Sequence, residues 1–233
     1  MAKNCNYKNI KVVDYEGGFA LSSDNGFITS EQGRILKTLN GDLAEKIRLE
    51  WLAADGKGIS ESMPLTRYLV LMHDWISQDR ESVIAQTIKY AETDLLCYRA
   101  KPSSILAQKQ EEIWQPLLSW AGERYNAPLR TTAKVTVLPQ SQGSLLALYK
   151  TVQSANDLAL TGLYIATGIS GSLIIALAMM DCFIDHLEAW NACTLEERWQ
   201  LESWGEDKEL GNRIKQTRIE LYNIELFMSL SRL

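Results

Sequence analysis

Thr93-Asp94-Leu95-Leu96-Cys97-Tyr98-Arg99-Ala100 is the stretch on which the reading of this chain turns, and Trp114-Gln115-Pro116-Leu117-Leu118-Ser119-Trp120 follows it fourteen residues later. The first block offers one thiol, one carboxylate and one guanidinium with no second catalytic partner beside them. It lies at the end of an apolar helical stripe, Ile84, Ile88, Ala91 and Leu95, which Asp79 is placed to cap. That position makes Asp94 and Arg99 architectural residues, and a buried Asp94–Arg99 pair is the simplest way to lock the turn. Lys101-Pro102-Ser103-Ser104 then breaks and recaps the chain. Leu106, Ile113, Leu117 and Trp120 form the next buried face, with Trp114 alongside and a kink expected at Pro116.

Upstream the pattern differs. Residues 7 to 38 hold short β-prone runs, Ile10-Lys11-Val12-Val13 and Gly26-Phe27-Ile28-Thr29, punctuated by Gly17-Gly18, Asp24-Asn25-Gly26 and Glu31-Gln32-Gly33. Asn25-Gly26 is a hairpin signal. From Asp42 the period becomes helical, with Leu43, Ile47 and Trp51 on one side after Asn40-Gly41-Asp42. Pro64 starts a further helix to Ile76, and the last helix carries Leu210, Ile214, Leu221, Ile224 and Met228 on one face. The fold class is therefore α+β: a small β-rich domain over 1–41 and a helical domain over 42–233.

Composition narrows the function classes. The chain has 233 residues, 46% of them hydrophobic, enough for a substantial core. Twenty-four basic against twenty-nine acidic residues, without a basic run, give no phosphate-tracking surface, so nucleic acid is not an expected partner. Cys5, Cys97, Cys182 and Cys193 show no metal-binding or redox spacing, which fits a reducing compartment. The N-terminus lacks a secretion signal or presequence pattern, favouring a bacterial cytoplasm over a mitochondrial matrix. Leu158 to Met180 carries no charge and is long enough to span a membrane. Thr167-Gly168 and Ser170-Gly171-Ser172 interrupt it, however, so two short buried helices meeting at Ser170 or Ser172 are expected, with no membrane insertion.

Chemistry is sparse. Cys182 and His186, four apart, would share a helix face, with Asp181 and Asp185 at hand, and are the best enzyme candidate. They lack a glycine-rich or strand-turn-helix setting, and phosphate-loop, dinucleotide and nucleophile-elbow motifs are absent. His73 beside Asp74 is weaker. No cofactor or metal is implied. The surface is more informative: Thr194-Leu195-Glu196-Glu197 reads as a capping box, leaving Glu196 free to face outward. Glu202, Glu206 and Glu209 recur at helical spacing beside Trp199 and Trp204. The plain reading is a solvated helix face; the sharper one is an acidic, aromatic docking edge.

Taken in order, Glu50-Trp51, Met63-Pro64-Leu65-Thr66-Arg67, Tyr90-Ala91 with Thr93 to Ala100, Trp114-x-Pro116-Leu117-Leu118-x-Trp120, Gly171-Ser172-Leu173 and Trp199-Gln200-x-x-x-Trp204-Gly205-Glu206-Asp207 resemble the chaperone family that assembles the mitochondrial F1-ATPase by binding its α subunit, together with its bacterial relatives. The resemblance spans roughly 26–230. It implies a non-enzymatic protein that shields unassembled α subunit before it pairs with β; a monomer is expected when free. It also implies that Glu196 matters for activity and that Trp51 is sensitive to change, Trp51 through folding and Glu196 through partner binding. Joined to the acidic, tryptophan-bearing pattern, this makes Glu196, Glu202, Glu206 and Trp204 the expected partner-binding residues, with Trp51, Asp94, Arg99 and Trp120 as structural ones. Gly33-Arg34-x-x-Lys37-Thr38 fits the family pattern. Leu39-Asn40-Gly41 departs from it where relatives carry proline and a longer loop, and Ala54 stands where glutamine is common.

Overall fold

Glu16 and Gly17 both adopt positive φ, 48° and 76°, which closes a two-residue turn between β1 (Lys11–Tyr15) and β2 (Gly18–Ser23). The computed structural model describes residues 7–205 and 207–230. β2 is the centre of an antiparallel sheet: β1 flanks one side, and β3 (Gly26–Phe27) and β4 (Lys37–Thr38) share the other. The β2–β3 turn is formed by Asp24 and Asn25, with Ser23 facing Gly26. It falls one residue earlier than the Asn25-Gly26 signal indicates, because Gly26, at φ 98°, opens the next strand.

Ten α-helices follow among the described residues: α1 (Gly41–Ala53), α2 (Pro64–Leu71), α3 (Arg80–Glu92), α4 (Ile105–Tyr125), α5 (Gln142–Ser154), α6 (Asp157–Ser170), α7 (Leu173–Met180), α8 (His186–Cys193), α9 (Leu195–Trp204) and α10 (Lys208–Leu230). A π-helical turn, Met72–Ile76, extends α2, and a 3-10 turn, Leu95–Cys97, follows α3. Two compact units result. The first comprises residues 1–80, 157–161 and 226–233, and the second 81–156 and 162–225. The division falls after Arg80 rather than at the change of period near Asp42, since α1 and α2 share a core with the sheet.

In the first unit Leu21, Ile28 and Leu36 from the sheet pack with Leu43, Ile47 and Trp51 of α1 and with Leu65 and Leu69 of α2. Trp51 is 1% exposed and meets Tyr7 edge-on at 5.2 Å. The residue before it serves a different end. Met63 gives α2 no side-chain cap, and the Glu50 carboxylate supplies one from α1, accepting from the amides of Leu65 and Thr66 and from Thr66 Oγ1 at 2.7–2.9 Å.

In the second unit the block around Asp94 is not the end of α3, which stops at Glu92. It is a separate turn wedged against the start of α7. The uncharged run from Leu158 to Met180 does break at Gly171, whose φ is +69°, and Ser172 caps α7 by accepting from Ile175 N. No described helix is long and apolar enough to cross a membrane. Asp94 is fully buried and accepts from Leu96 N at 3.1 Å and Ile174 N at 3.2 Å, with Ser172 and Leu173 as further donors. Arg99 does not pair with it. Its guanidinium donates instead to the carbonyls of Leu96 and Gln110 and to Gln115, and it lies over the Trp114 ring. The expected Asp94–Arg99 lock is thus two separate clasps, because backbone amides rather than a cation satisfy the acid.

α4 runs through Pro116, which is exposed, so the acceptor it leaves unpaired lies on the solvent side. The buried face is turned from the expected one. Gln110, Trp114, Leu117, Leu118 and Ala121 are buried, and Trp114 donates to Ala192 O at 2.8 Å. Trp120 is only half-buried and stacks on Phe183 at 4.8 Å.

Replacing Trp51 by Ala empties a fully enclosed site and is expected to cost ~3–5 kcal/mol in denaturant unfolding. Asp94 gives a pH signature. Burial raises its pKa from 3.8 to about 6 against the hydrogen bonds that lower it. A raised carboxyl pKa contributes stability below the unfolded value and loses it as pH rises through the folded one. Relative to Asp94→Asn, the wild type should therefore lose stability between pH 4 and pH 6, by on the order of 3 kcal/mol, and the difference should be flat above pH 7. Paired denaturant titrations across that range measure it.

Candidate functional site

Ala100, the last residue of the signature block, leads directly to Glu196. Its amide donates to Gln110 Oε1 at 2.7 Å, and Gln110 Nε2 donates to Glu196 Oε1 at 2.7 Å. Gln110 itself is fully buried. Glu196 is exposed as a residue, but its carboxylate end rests on the protein; burial raises its pKa, opposed by the Gln110 hydrogen bond. The expectation that Glu196 is free to face outward is corrected accordingly: one oxygen is held, and the other remains.

The capping box expected at Thr194 does not form. Thr194 sits at φ −100°, ψ 8°, and makes no side-chain cap; its hydroxyl donates to Trp190 O at 2.6 Å. α8 leads into α9 with no extended residue between them, so Thr194 cannot adopt the geometry a cap needs. Glu197 pairs with Arg213 at 2.6 Å. The capping box lies instead at Asp185 and Glu188, at the start of α8.

The acidic stripe is also broken. α9 ends at Gly205, φ 98°, ψ −177°, so Glu202 and Glu209 belong to different helices, and Glu206 lies outside the described residues. Glu202 faces Lys109 of α4 at 3.7 Å, and Lys109 in turn lies 5.3 Å over the Trp199 ring. Trp204 is 82% exposed. At 100° per residue, Glu196, Trp199, Gln200, Ser203 and Trp204 fall on one side of α9, with Glu196 and Trp204 about 12 Å apart along the axis. The result is a short surface with a held carboxylate at one end and a bare indole at the other. Sequence reasoning missed Lys109 and Gln110, which frame it from α4. Gln110, four residues before Trp114 and seven before Leu117, marks a polar group on an apolar face, the pattern of a buried hydrogen-bonding residue.

The enzyme candidate comes apart. Cys182 occupies a left-handed position, φ 56°, in the turn after α7, whereas His186 opens α8 and its Nδ1 bonds Glu225 at 2.6 Å. The two therefore share no helix face. Burial pushes the Cys97 and Cys193 thiols up to about 12, far from the thiolate a nucleophile needs. No cluster of metal-ligating side chains occurs among the described residues.

The same sheet and helices recur in the crystal structure of Atp12 from Paracoccus denitrificans, 31% identical over 97% of both chains with a TM-score of 0.88. A point mutant of that protein matches at 32% identity, again over 97% of both, with a TM-score of 0.91. A protein of Agrobacterium tumefaciens matches at 30%, over 95% of this chain and 83% of its own, with a TM-score of 0.87. The architecture is that of a chaperone. The chain belongs to the ATP12 chaperone protein family, whose sequence profile matches residues 5–122.

Replacing Gln110 by Met tests the link between the signature block and Glu196. The Ala100 amide loses its acceptor, at a cost of ~1–3 kcal/mol. Glu196 loses the bond that lowers its pKa, so its carboxylate should titrate at higher pH than in wild type. Carbon NMR of the glutamate carboxylates reads the shift.

Proposed function

We propose that this protein is a non-enzymatic assembly chaperone that binds the unassembled F1-ATPase α subunit and prevents its aggregation before it pairs with β. The observation that carries the reading is membership of the ATP12 chaperone family, with a likeness to Atp12 that runs the length of both chains. An unassembled ring subunit exposes apolar interface and is an association hazard until covered. The surface of α9 is the proposed docking edge: Trp204 supplies an exposed anchor, and Glu196 and Glu202 supply charge that steers a basic partner surface. Glu206 belongs to the same proposal. The protein acts as a monomer, without cofactor or nucleic acid, in a bacterial cytoplasm or its mitochondrial counterpart, the matrix.

Co-expression with F1 α subunit, followed by capture through a tag on this chain, tests the reading. Wild type should enrich the α subunit and keep it soluble without ATP. Glu196→Gln should lower capture at least tenfold while its unfolding midpoint stays near that of wild type, because the variant removes the charge yet keeps an amide oxygen to accept from Gln110 Nε2. Failure to enrich α subunit, where a known chaperone–client pair is captured alongside, overturns the proposal.

A further inference from the structure

Gly33-Arg34-Ile35-Leu36-Lys37-Thr38, noted in the sequence and unused by the α9 surface, frames an open recess of about 390 Å³ in the first unit. Arg34, Ile35, Lys37, Glu16, His73 and Gln78 are among its walls. That volume lies within the range of ligand clefts, ~300–1,000 Å³.

The hydrogen bonds around it leave a specific set of groups open. Ser30 N donates to Arg34 O, and Leu36 N donates to Ile28 O, so residues 34 and 36 face their hairpin partner. Alternation along the strand then turns the main chains of Ile35 and Lys37 to the outer edge. At Lys37 that edge is closed: His73 Nε2 lies 2.8 Å from Lys37 O and 3.3 Å from Lys37 N. The imidazole is presented by the π-helical turn, a feature common at functional sites. At Ile35 the edge is open, since its N–H and C=O meet no partner among the described residues.

The charges are equally selective. Lys37 Nζ is taken by Glu16 and sits over the Tyr15 ring. Arg34 Nε lies 3.5 Å from Asp74, whose same oxygen accepts from Ser30 Oγ. The two terminal nitrogens of Arg34 donate to nothing among the described residues. The recess thus offers one main-chain donor–acceptor pair beside the free fork of a guanidinium. We propose that it binds a short extended peptide segment bearing a carboxylate, one residue of which pairs with Ile35 while the carboxylate engages Arg34. Strand addition supplies the main-chain bonds and the fork supplies the specificity. His73 stops the pairing after one register step, which keeps the contact short and readily released. The site adds a second client contact to the chaperone; only the client's identity rests on that reading, and the peptide test does not.

The test uses the full chain labelled with nitrogen-15 and three probes: acetyl-Ala-Ala-Ala with a free carboxylate, the same peptide as its C-terminal amide, and acetyl-Ala-Glu-Ala-amide. Carboxylate-bearing probes should shift the amides of Ile35, Lys37 and Gln78 saturably at millimolar concentration, and the all-amide probe should bind at least tenfold more weakly. Whichever carboxylate probe binds more tightly assigns the site to a chain end or to an acidic side chain. Arg34→Met should abolish the shifts, and Arg34→Lys, which keeps charge without the fork, should retain part of them. The proposal is overturned if no probe shifts these amides, if carboxylate and amide probes act alike on wild type, or if a folded Arg34→Met variant binds as wild type does.

Discussion

A helix buried on every side has nowhere to place its first amide groups except onto other parts of the protein. α7 is in that position, with Leu173 through Met179 all enclosed. Water cannot reach its N-terminus, and each unpaired amide there would cost on the order of 1–3 kcal/mol. Asp94 and Ser172 meet the demand together, the hydroxyl taking Ile175 and the carboxylate taking Ile174 and the hydroxyl itself. The positive end of the helix favours the charge, yet burial still wins and lifts the acid's pKa. The remainder of the second unit is arranged around this plug. Leu95 N donates to Gly171 O, and Cys97 and Arg99 bond Thr132 through their main chains, so the acid's own turn is fastened on both sides.

From that plug a continuous path reaches the surface. Arg99 grips the carbonyl of Gln110, Ala100 takes the Gln110 side chain, and the other end of that amide holds Glu196. A buried glutamine with both ends engaged cannot rotate without losing two bonds, so the orientation of Glu196 is inherited from the block containing Asp94. The same logic appears in the first unit, where Glu50 of α1 caps α2. In both units an acid from a distant segment finishes a helix that its own sequence leaves unfinished.

This division explains what could be read from residues alone. Turn residues between short runs mark the sheet, the clustered Ser170-Gly171-Ser172 marks the break between α6 and α7, and a 3.6-residue period marks the apolar face of α10, because each of these is a local property of the chain. Caps and pairs were read less well. Thr194 had the right letters for a capping box, but α8 runs into α9 without the extended residue that a cap requires. Glu202 and Glu209 had the right spacing for one stripe, and Gly205 divided it. Asp94 reads as buried from its place in the chain, while its partner on α7, Ile174 N, eighty residues away in sequence, is invisible to any spacing rule. Gln110 and Lys109 were missed for the same reason: their significance comes from α9, which they meet only in the fold.

Under the proposed docking edge, the exposed indole bears on how a client would be let go. Trp204 is already almost fully in water, so its burial by a partner would remove ~200 Å² of largely apolar surface, worth ~5 kcal/mol at ~25 cal/mol per Å². Association alone costs a comparable ~4–15 kcal/mol. One tryptophan therefore cannot hold a client unaided, and the balance falls to the groups around it. A carboxylate fixed by Gln110 meets a partner donor without first losing rotamer freedom, which makes a single charge at Glu196 decisive under the proposed reading. Under the proposed reading the same arithmetic would permit release, because a contact built from one anchor and a few fixed charges would yield to a larger apolar interface.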